Sequence, residues 1–268
     1  MNHKIGIISV GLNCLEYSKK TLDSINTKYP YQIIFINNGS SDGTREWLES
    51  REDIISYQNP ANSGLAACWN LGIQRAIDEG CDLFFVVNND IVMAKNTIDN
   101  LVRKMETGKY VMCTGVNDHS MTEDEMKNFE KEYDENETDR EHPDFSCFMI
   151  NENTIHKIGW FDEHFVIAYF EDSDFHSRIA LAGKIAISTV SATYFHHASK
   201  TIQENPKMSE LIHNAFRLNK QYFIDKWGTE NVGDVPAMLQ VYYKTPFNDP
   251  SRTIKDISGN FSLEGLSQ

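Results

Sequence analysis

Residues 82–90 read Asp82-Leu83-Phe84-Phe85-Val86-Val87-Asn88-Asn89-Asp90. Five apolar residues run without interruption between an acid and a polar tip. The run is far too short to span a bilayer, and it reads as a strand covered on both faces. Working outward, strand-like and helix-like stretches alternate. Strand patterns fall at 4–10, 31–36, 54–57, 82–87 and 110–115, with helical patterns at 15–26, 44–49, 65–78 and 97–105. Such alternation implies an α/β fold, a mostly parallel mixed sheet flanked by helices. Ligands of these sheets collect beyond the carboxyl ends of the strands, where strand order reverses. Three polar clusters, 11–13, 37–42 and 88–90, follow directly on strands. Helix capping explains each alone; three on one rim make a binding cleft the better reading.

The second half continues with strands at 145–150, 184–189 and 193–196 and helices at 152–158, 171–182 and 206–227. Past Gly228 the apolar periodicity thins into one further helical pattern at 235–243 and a polar tail at 245–268. We therefore expect a main domain at 1–228, divided into halves at 1–115 and 145–200, and a short C-terminal extension at 229–268.

The chain of 268 residues carries 25 Lys+Arg against 39 Asp+Glu, a net charge of −14. Affinity for phosphate backbones comes from Lys and Arg, so this balance argues against a nucleic-acid partner. It leaves room for a small phosphorylated ligand held by a metal. No apolar run approaches the ~18–20 residues of a transmembrane helix, and the first residues lack the pattern of a secretory signal. Cys14, Cys68, Cys81, Cys113 and Cys147 are widely spaced with no C-x-x-C pair, so we expect buried thiols and a cytoplasmic setting rather than disulfides or zinc. Residues 118–144 hold twelve acids against Lys127, Lys131 and Arg140. That composition predicts a solvated helix or mobile flap, either inert or an acceptor-contacting lid.

Three places carry candidate chemistry. Asp90 at its strand tip reads first as a turn residue and second as the ligand of a hard cation such as Mg²⁺ or Mn²⁺, most of whose shell would come from phosphate and water. Glu171-Asp172-Ser173-Asp174 opens a helix, where acids suit the dipole. The same cluster offers a general base. His196-His197 ends a strand, and spacing alone does not say whether either reaches Asp90.

Taken together, these pieces resemble the inverting nucleotide-sugar glycosyltransferases of the GT-A fold, in the large "family 2" group that includes rhamnosyltransferase-like enzymes. The resemblance covers roughly residues 4–200. Residues 7–13 are similar to the family's opening strand and turn. Ile36-Asn37-Asn38-Gly39-Ser40-Ser41-Asp42-Gly43-Thr44 is close to V-D-N-G-S-x-D-G-T. Residues 59–73 resemble the N-x-G loop and its helix, and Val87-Asn88-Asn89-Asp90 occupies the D-x-D position. Ile158-Gly159-Trp160-Phe161-Asp162-Glu163, then Tyr169-Phe170-Glu171-Asp172-Ser173-Asp174, Arg178 and Gly183 follow the family's later motifs. Residues 193–199 match its closing H-x-x-S.

The resemblance implies a metal-dependent transferase that moves a sugar from a UDP- or dTDP-linked donor to a hydroxyl of a glycan or glycoconjugate. It makes 1–115 the nucleotide-sugar-binding half and 145–200 the acceptor and catalytic half. Asn38 would face the nucleobase. Asn13 and Gly64 would contact base, ribose or phosphate, with Asn70 supporting that loop. Asn88 would lie near the ribose, with Asn89 beside it on the donor side. Asp90 would bind Mn²⁺ or Mg²⁺, with His196 as second ligand. Asp172 would be the catalytic base and Glu171 would shape the acceptor site. Two departures stand out: Asn37 and Asn88 replace the family's first Asp in the base-binding turn and in D-x-D. The competing readings are a catalytically silent nucleotide-sugar-binding module and a nucleotidyltransferase; the latter's Gly- and Arg-rich phosphate loop is not matched by Gly11-Leu12-Asn13-Cys14.

Overall fold

The structure, a computed structural model, describes residues 3–140, 143–198 and 206–230. The strands are β1 Ile5–Gly11, β2 Tyr31–Asn37, β3 Ile54–Gln58, β4 Leu83–Asn88, β5 Ile91–Met93, β6 Met112–Asn117, β7 Cys147–Asn151 and β8 Ala186–His196. The helices are α1 Leu15–Asp23, α2 Thr44–Glu49, α3 Leu65–Asp78, α4 Thr97–Glu106, α5 Glu123–Asn128, α6 Glu152–Ile158, α7 Glu171–Leu181 and α8 Pro206–Trp227. The strands form one sheet in the order β3-β2-β1-β4-β7-β6-β8-β5. Pairs β1–β2, β1–β4, β2–β3 and β6–β8 are parallel; β4–β7, β6–β7 and β5–β8 are antiparallel. The mixed α/β architecture flanked by helices agrees with the expectation. The expected helix at 235–243, the tail and Ser199 lie outside the described residues.

β4 shows why the apolar run reads as it does. Phe84 and Val86 pack on one face with Trp69, Ile73, Phe148 and Phe161, while Leu83, Phe85 and Val87 pack on the other with Ile98, Leu101, Val102 and Met149. Both faces are dry, so no polar residue alternates into the run. On the first face α3 lies close on β1. A Cβ on Gly72 would stand 2.3 Å from Ile8 Cγ2, so only glycine allows this approach. Strand order reverses between β2-β1 and β1-β4, which sets the carboxyl ends of β1, β2 and β4 side by side around the crevice. None of the five cysteines forms a disulfide, and four are buried. Among the described residues no helix is long and apolar enough to cross a membrane.

The acidic segment departs in part from expectation. Among the described residues most of its acids are exposed, as the composition predicts, but the segment is fastened as a strap across β8 and α4 rather than free. α5 starts in a capping box of Thr122 and Glu125, and Met126 is fully buried. Lys95 N donates to Phe129 O at 2.9 Å, and Asn100 Nδ2 donates to Lys131 O at 3.0 Å. Ser191 Oγ donates to Glu137 at 2.6 Å, Lys104 pairs with Asp139 at 2.9 Å, and Arg140 bridges Ser188. Acids that read as solvated thus satisfy buried donors of the main sheet.

The same strap explains why the sequence splits β8 in two. Its middle carries Thr189, Ser191 and Thr193, polar yet buried: Thr189 Oγ1 accepts from Ser191 N, Ser191 Oγ donates to Glu137, and Thr97 and Asn100 donate to the backbone carbonyls of Thr193 and Ser191. One continuous strand results, with a bulge in its pairing to β6 between Thr114 and Val116.

A second buried charge cluster ties α8 to α7. Lys226 Nζ lies 2.6 Å from Asp162 and 2.7 Å from Asp174. Arg178 Nε donates to Asp174 at 2.9 Å, and Trp227 Nε1 donates to its other oxygen at 3.0 Å. Burial pushes the Asp162 carboxyl up, but the Lys226 charge and hydrogen bond outweigh it and hold the group below its ordinary range.

Two outcomes test these clusters. Asp139→Ala leaves the Lys104 ammonium, 3% exposed, without its counter-charge; chemical denaturation is expected to show a loss of about 3–5 kcal/mol, where a solvated flap would show almost none. Lys226→Met leaves Asp162 and Asp174 facing each other in the interior, and a loss of similar size, about 3–5 kcal/mol, is expected. Because the folded Asp162 titrates low, its contribution is complete above about pH 4, the unfolded value, and fades as pH falls through the lowered one. The acid limb of a stability–pH curve is therefore expected to flatten in Lys226→Met.

Candidate active site

A cleft of about 370 Å³ opens over the strand ends at the order reversal. Its floor is Val10, Leu12, Asn38, Asn88, Asn89 and Asp90, from the ends of β1, β2 and β4. One wall is Asn62, Leu65 and Trp69 at the start of α3. The opposite wall is Ile167, Ala168, Tyr169, Glu171 and Asp172, with Asp144, Phe145 and Ser146 ahead of β7, His196 at the end of β8 and Ile212 of α8. Seven of the sequence-predicted residues meet here: Asn38, Asn88, Asn89, Asp90, Glu171, Asp172 and His196. Asn13, Gly64 and Asn70 do not line the cleft.

Those three hold its borders. Asn13, at φ 59°, binds the β2–α2 turn: its N–H donates to Ser40 Oγ at 2.8 Å and its Oδ1 accepts from Ser41 N at 2.8 Å. Gly64 opens α3 at φ 91° with its would-be Cβ 3.4 Å from Ile167 N. Asn70 grips the far loop, accepting from Phe161 N at 3.0 Å and donating to Phe161 O at 2.9 Å.

The asparagines in the floor are largely spoken for. Asn38 Nδ2 donates to Asn62 at 2.9 Å while its Oδ1 accepts from Ser63 N at 2.9 Å, which fixes the loop before α3 against β2. Gly39 makes this tight approach possible, since a Cβ there would stand 2.8 Å from the Ala61 backbone. Asn37 pairs with Gln58 at 2.7 Å across β2 and β3. Asn89 turns back to Ser18 Oγ at 2.9 Å.

Asp90 and His196 come together because β5 pairs antiparallel with β8, with Ile91 opposite His196. His196 Nε2 lies 2.9 Å from Asp90 Oδ1. The neighbouring His197 points elsewhere: its Nε2 is 3.1 Å from Glu123, which also pairs with Lys20. A carboxylate and an imidazole nitrogen in contact suit a divalent cation, most of whose remaining ligands would have to come from phosphate and water. Among the described residues there is no cluster of three or more His, Cys, Asp or Glu placed to hold a metal by themselves.

Glu171 and Asp172 start α7 behind a strained loop. Ile167, Tyr169 and Phe170 have φ of 64°, 80° and 72°. Left-handed backbone at such residues costs about 1–3 kcal/mol each, and it clusters where surrounding structure overrides it at working sites. Leu65 N, at the start of α3, donates to Ile167 O at 2.8 Å, joining the two walls. Glu171 is 4% exposed, and among the described residues its Oε2 has no hydrogen-bond partner. Burial, then the charges of Asp172 and Asp174, raise its pKa well above the ordinary glutamate value, so the neutral acid is favoured. Asp172 is half-buried and its Oδ1 accepts from Ser173 N at 2.6 Å. Desolvation lifts its pKa against that hydrogen bond, and Asp144 adds to the rise. Asp144, Asn62 and Ser146 were not singled out by sequence. Asp144 closes the acidic run, where a site carboxylate cannot be told by composition from a structural one.

Comparison with known proteins follows the same outline. A crystal structure of GalNAc-T7 with UDP, GalNAc and Mn²⁺ superposes with a TM-score of 0.60 at 14% identity over 97% of this chain and 58% of that one. The chain thus spans little more than half the length of that protein. S. aureus TarS, residues 1–349, superposes with a TM-score of 0.51 at 15% identity over 82% of this chain and 69% of that one. Identities this low speak for the GT-A fold alone. A search of curated proteins gave no match. The sequence profile of "Glycosyl transferase family 2" matches residues 7–170, from the middle of β1 to the residue before Glu171. With more than half its length under that profile, the chain belongs to glycosyl transferase family 2.

Proposed function

We propose that the chain is an inverting, rhamnosyltransferase-like hexosyltransferase that takes a UDP- or dTDP-linked sugar and glycosylates a hydroxyl of a glycan or glycoconjugate. The observation that carries this reading is that Asp90, His196, Glu171 and Asp172 line one cleft at the strand-order reversal. Family membership supports the transferase class, and the crystallisation of GalNAc-T7 with UDP and Mn²⁺ accords with the donor and ion. Five cysteines outside any disulfide accord with a cytoplasmic site of action.

In this reading the nucleotide lies over Leu12, Asn38 and Asn88, with the diphosphate toward Asp90 and His196. A divalent cation bound there, Mn²⁺ or Mg²⁺, supplies positive charge against the departing diphosphate. Asp172 accepts the proton of the acceptor hydroxyl as its oxygen attacks the anomeric carbon from the side opposite the diphosphate. The new C–O bond forms as the bond to the diphosphate oxygen breaks, and the proton rests on the Asp172 carboxylate. One base suffices for inversion by a single displacement. Glu171, whose carboxyl burial pushes well above the usual range, is placed to hydrogen-bond a sugar hydroxyl. Tyr169, Trp69 and Ile167 provide apolar walls that limit water around the reacting carbon.

Asp172→Asn keeps the size and removes the proton acceptor. We expect kcat to fall by about 10²–10⁴-fold, with UDP binding in Mn²⁺ unchanged and wild-type product of opposite anomeric configuration to the donor. A retained product contradicts the mechanism. Because Asp172 titrates above an ordinary aspartate, the acid limb of the kcat–pH profile is expected above about pH 3.9, and rate rises as pH climbs through it. Chelation by EDTA is expected to stop transfer and added Mn²⁺ to restore it; full activity in EDTA removes Asp90 and His196 from the metal role.

A further inference from the structure

We infer that Asn219, in the middle of α8, is a positioning residue: it holds the strained loop at 166–170 and through it sets the place of Glu171 and Asp172 in the cleft. Its side chain is 1% exposed and every hydrogen-bonding atom of its amide is directed at that loop. Oδ1 accepts from Val166 N at 3.0 Å. Nδ2 faces three carbonyls, of Val166 at 2.8 Å, Ala168 at 3.0 Å and Tyr169 at 3.0 Å. One short amide thus ties up four backbone groups within four residues, in a segment whose dihedrals exclude it from any helix or sheet ladder. Asparagine alone offers an acceptor and a two-proton donor at this reach.

The loop cannot hold itself. Ile167, Tyr169 and Phe170 all occupy left-handed backbone, and Ile167 is β-branched. Asp174 N donates to Phe170 O at 2.9 Å, so the first turn of α7 grows directly from the last strained residue. Glu171 and Asp172 sit within that turn. A relaxation at Ile167 or Tyr169 therefore moves the two carboxyls as a unit and also releases Leu65 N on the opposite wall. Around the amide, Phe216 packs on Tyr169 and Phe170 with ring centroids 5.5 and 5.1 Å apart, and Phe223 packs on Phe170 at 5.5 Å. These apolar contacts seat α8 on the loop, and Asn219 fixes the loop's backbone conformation. Asn219 does not itself line the cleft; it holds from behind the backbone of residues that do.

The inference rests on the transferase reading for its kinetic arm only. Two variants are compared with wild type: Asn219→Leu, which removes all four bonds, and Asn219→Asp, which keeps the acceptor for Val166 N and loses the donors. Amide hydrogen exchange, UDP affinity in Mn²⁺ and steady-state kinetics are measured well below the melting midpoint. We expect faster exchange at residues 165–174, unchanged exchange in β1 and β4, UDP affinity within about 3-fold, and kcat lowered by about 10–100-fold, the scale of a misplacement of about 1 Å. Should Asn219→Leu fail to fold, Asn219→Asp carries the test. Exchange at 165–174 equal to wild type in both variants overturns the inference. So does normal kcat in a variant whose loop exchange has risen, because the loop then does not position the carboxyls. A wild-type chain without transfer activity contradicts the transferase reading, and the exchange arm then decides on Asn219 alone.

Discussion

A short loop in costly backbone geometry joins the start of α7 to the start of α3. Three non-glycine residues, Ile167, Tyr169 and Phe170, hold left-handed dihedrals directly before the carboxyls of Glu171 and Asp172. Strain of this kind persists only where neighbours over-determine it. Here the neighbours are α3, which donates Leu65 N to Ile167 O, and α8, which supplies the Asn219 amide and two phenylalanines. Below the loop, the buried Lys226 bridges Asp162 and Asp174, so both ends of the segment are fixed by charge pairs shielded from water. The apolar sheet supplies the platform, and this polar frame fixes where the carboxyls stand above it.

The placement of charge in the cleft follows from that frame. Asp90 and His196 contact each other in the same cleft that Glu171 and Asp172 line. Desolvation raises the carboxyls of both Glu171 and Asp172, Glu171 further because it is the more buried and lies beside the Asp172 charge. Two adjacent carboxyls with unequal burial are thereby set apart in protonation, one biased toward the neutral acid and one toward a base of raised pKa. Under the proposed function, a chain with a net charge of −14 could still receive a diphosphate there, because raised carboxyls carry less negative charge and a bound cation would offset the rest.

Much of this was legible in the sequence. The unbroken run at 83–87 predicts a strand dry on both faces, and β4 packs that way because Phe84 and Val86 meet α3 while Phe85 and Val87 meet α4. Polar clusters at the ends of β1, β2 and β4 give the rim of the cleft, because parallel strands expose their carboxyl ends together. What composition hides is partnership. Glu137 and Asp139 look like solvated acids until Ser191 and Lys104 are seen beneath them. Ser191 looks like a break in a strand because its partners, Glu137 and Asn100, lie in that same acidic strap and in α4. His196 and His197 are equivalent by spacing; the β5–β8 register is what sends one to Asp90 and the other to Glu123. Asn219 gives no signal at all, since a single asparagine in an amphipathic helix reads as surface until the loop that it holds, some fifty positions away, is in place.

The central claim is that one cleft joins a cation-binding rim to a carboxyl-bearing wall. Crystals of the chain soaked with UDP and Mn²⁺, with anomalous scattering recorded at the manganese edge, test it most directly. The account predicts a manganese peak within coordination distance of both Asp90 and His196 Nε2, with the diphosphate completing the shell and the uracil beside Asn38. A nucleotide seated elsewhere, or a peak that neither Asp90 nor His196 touches, would contradict it.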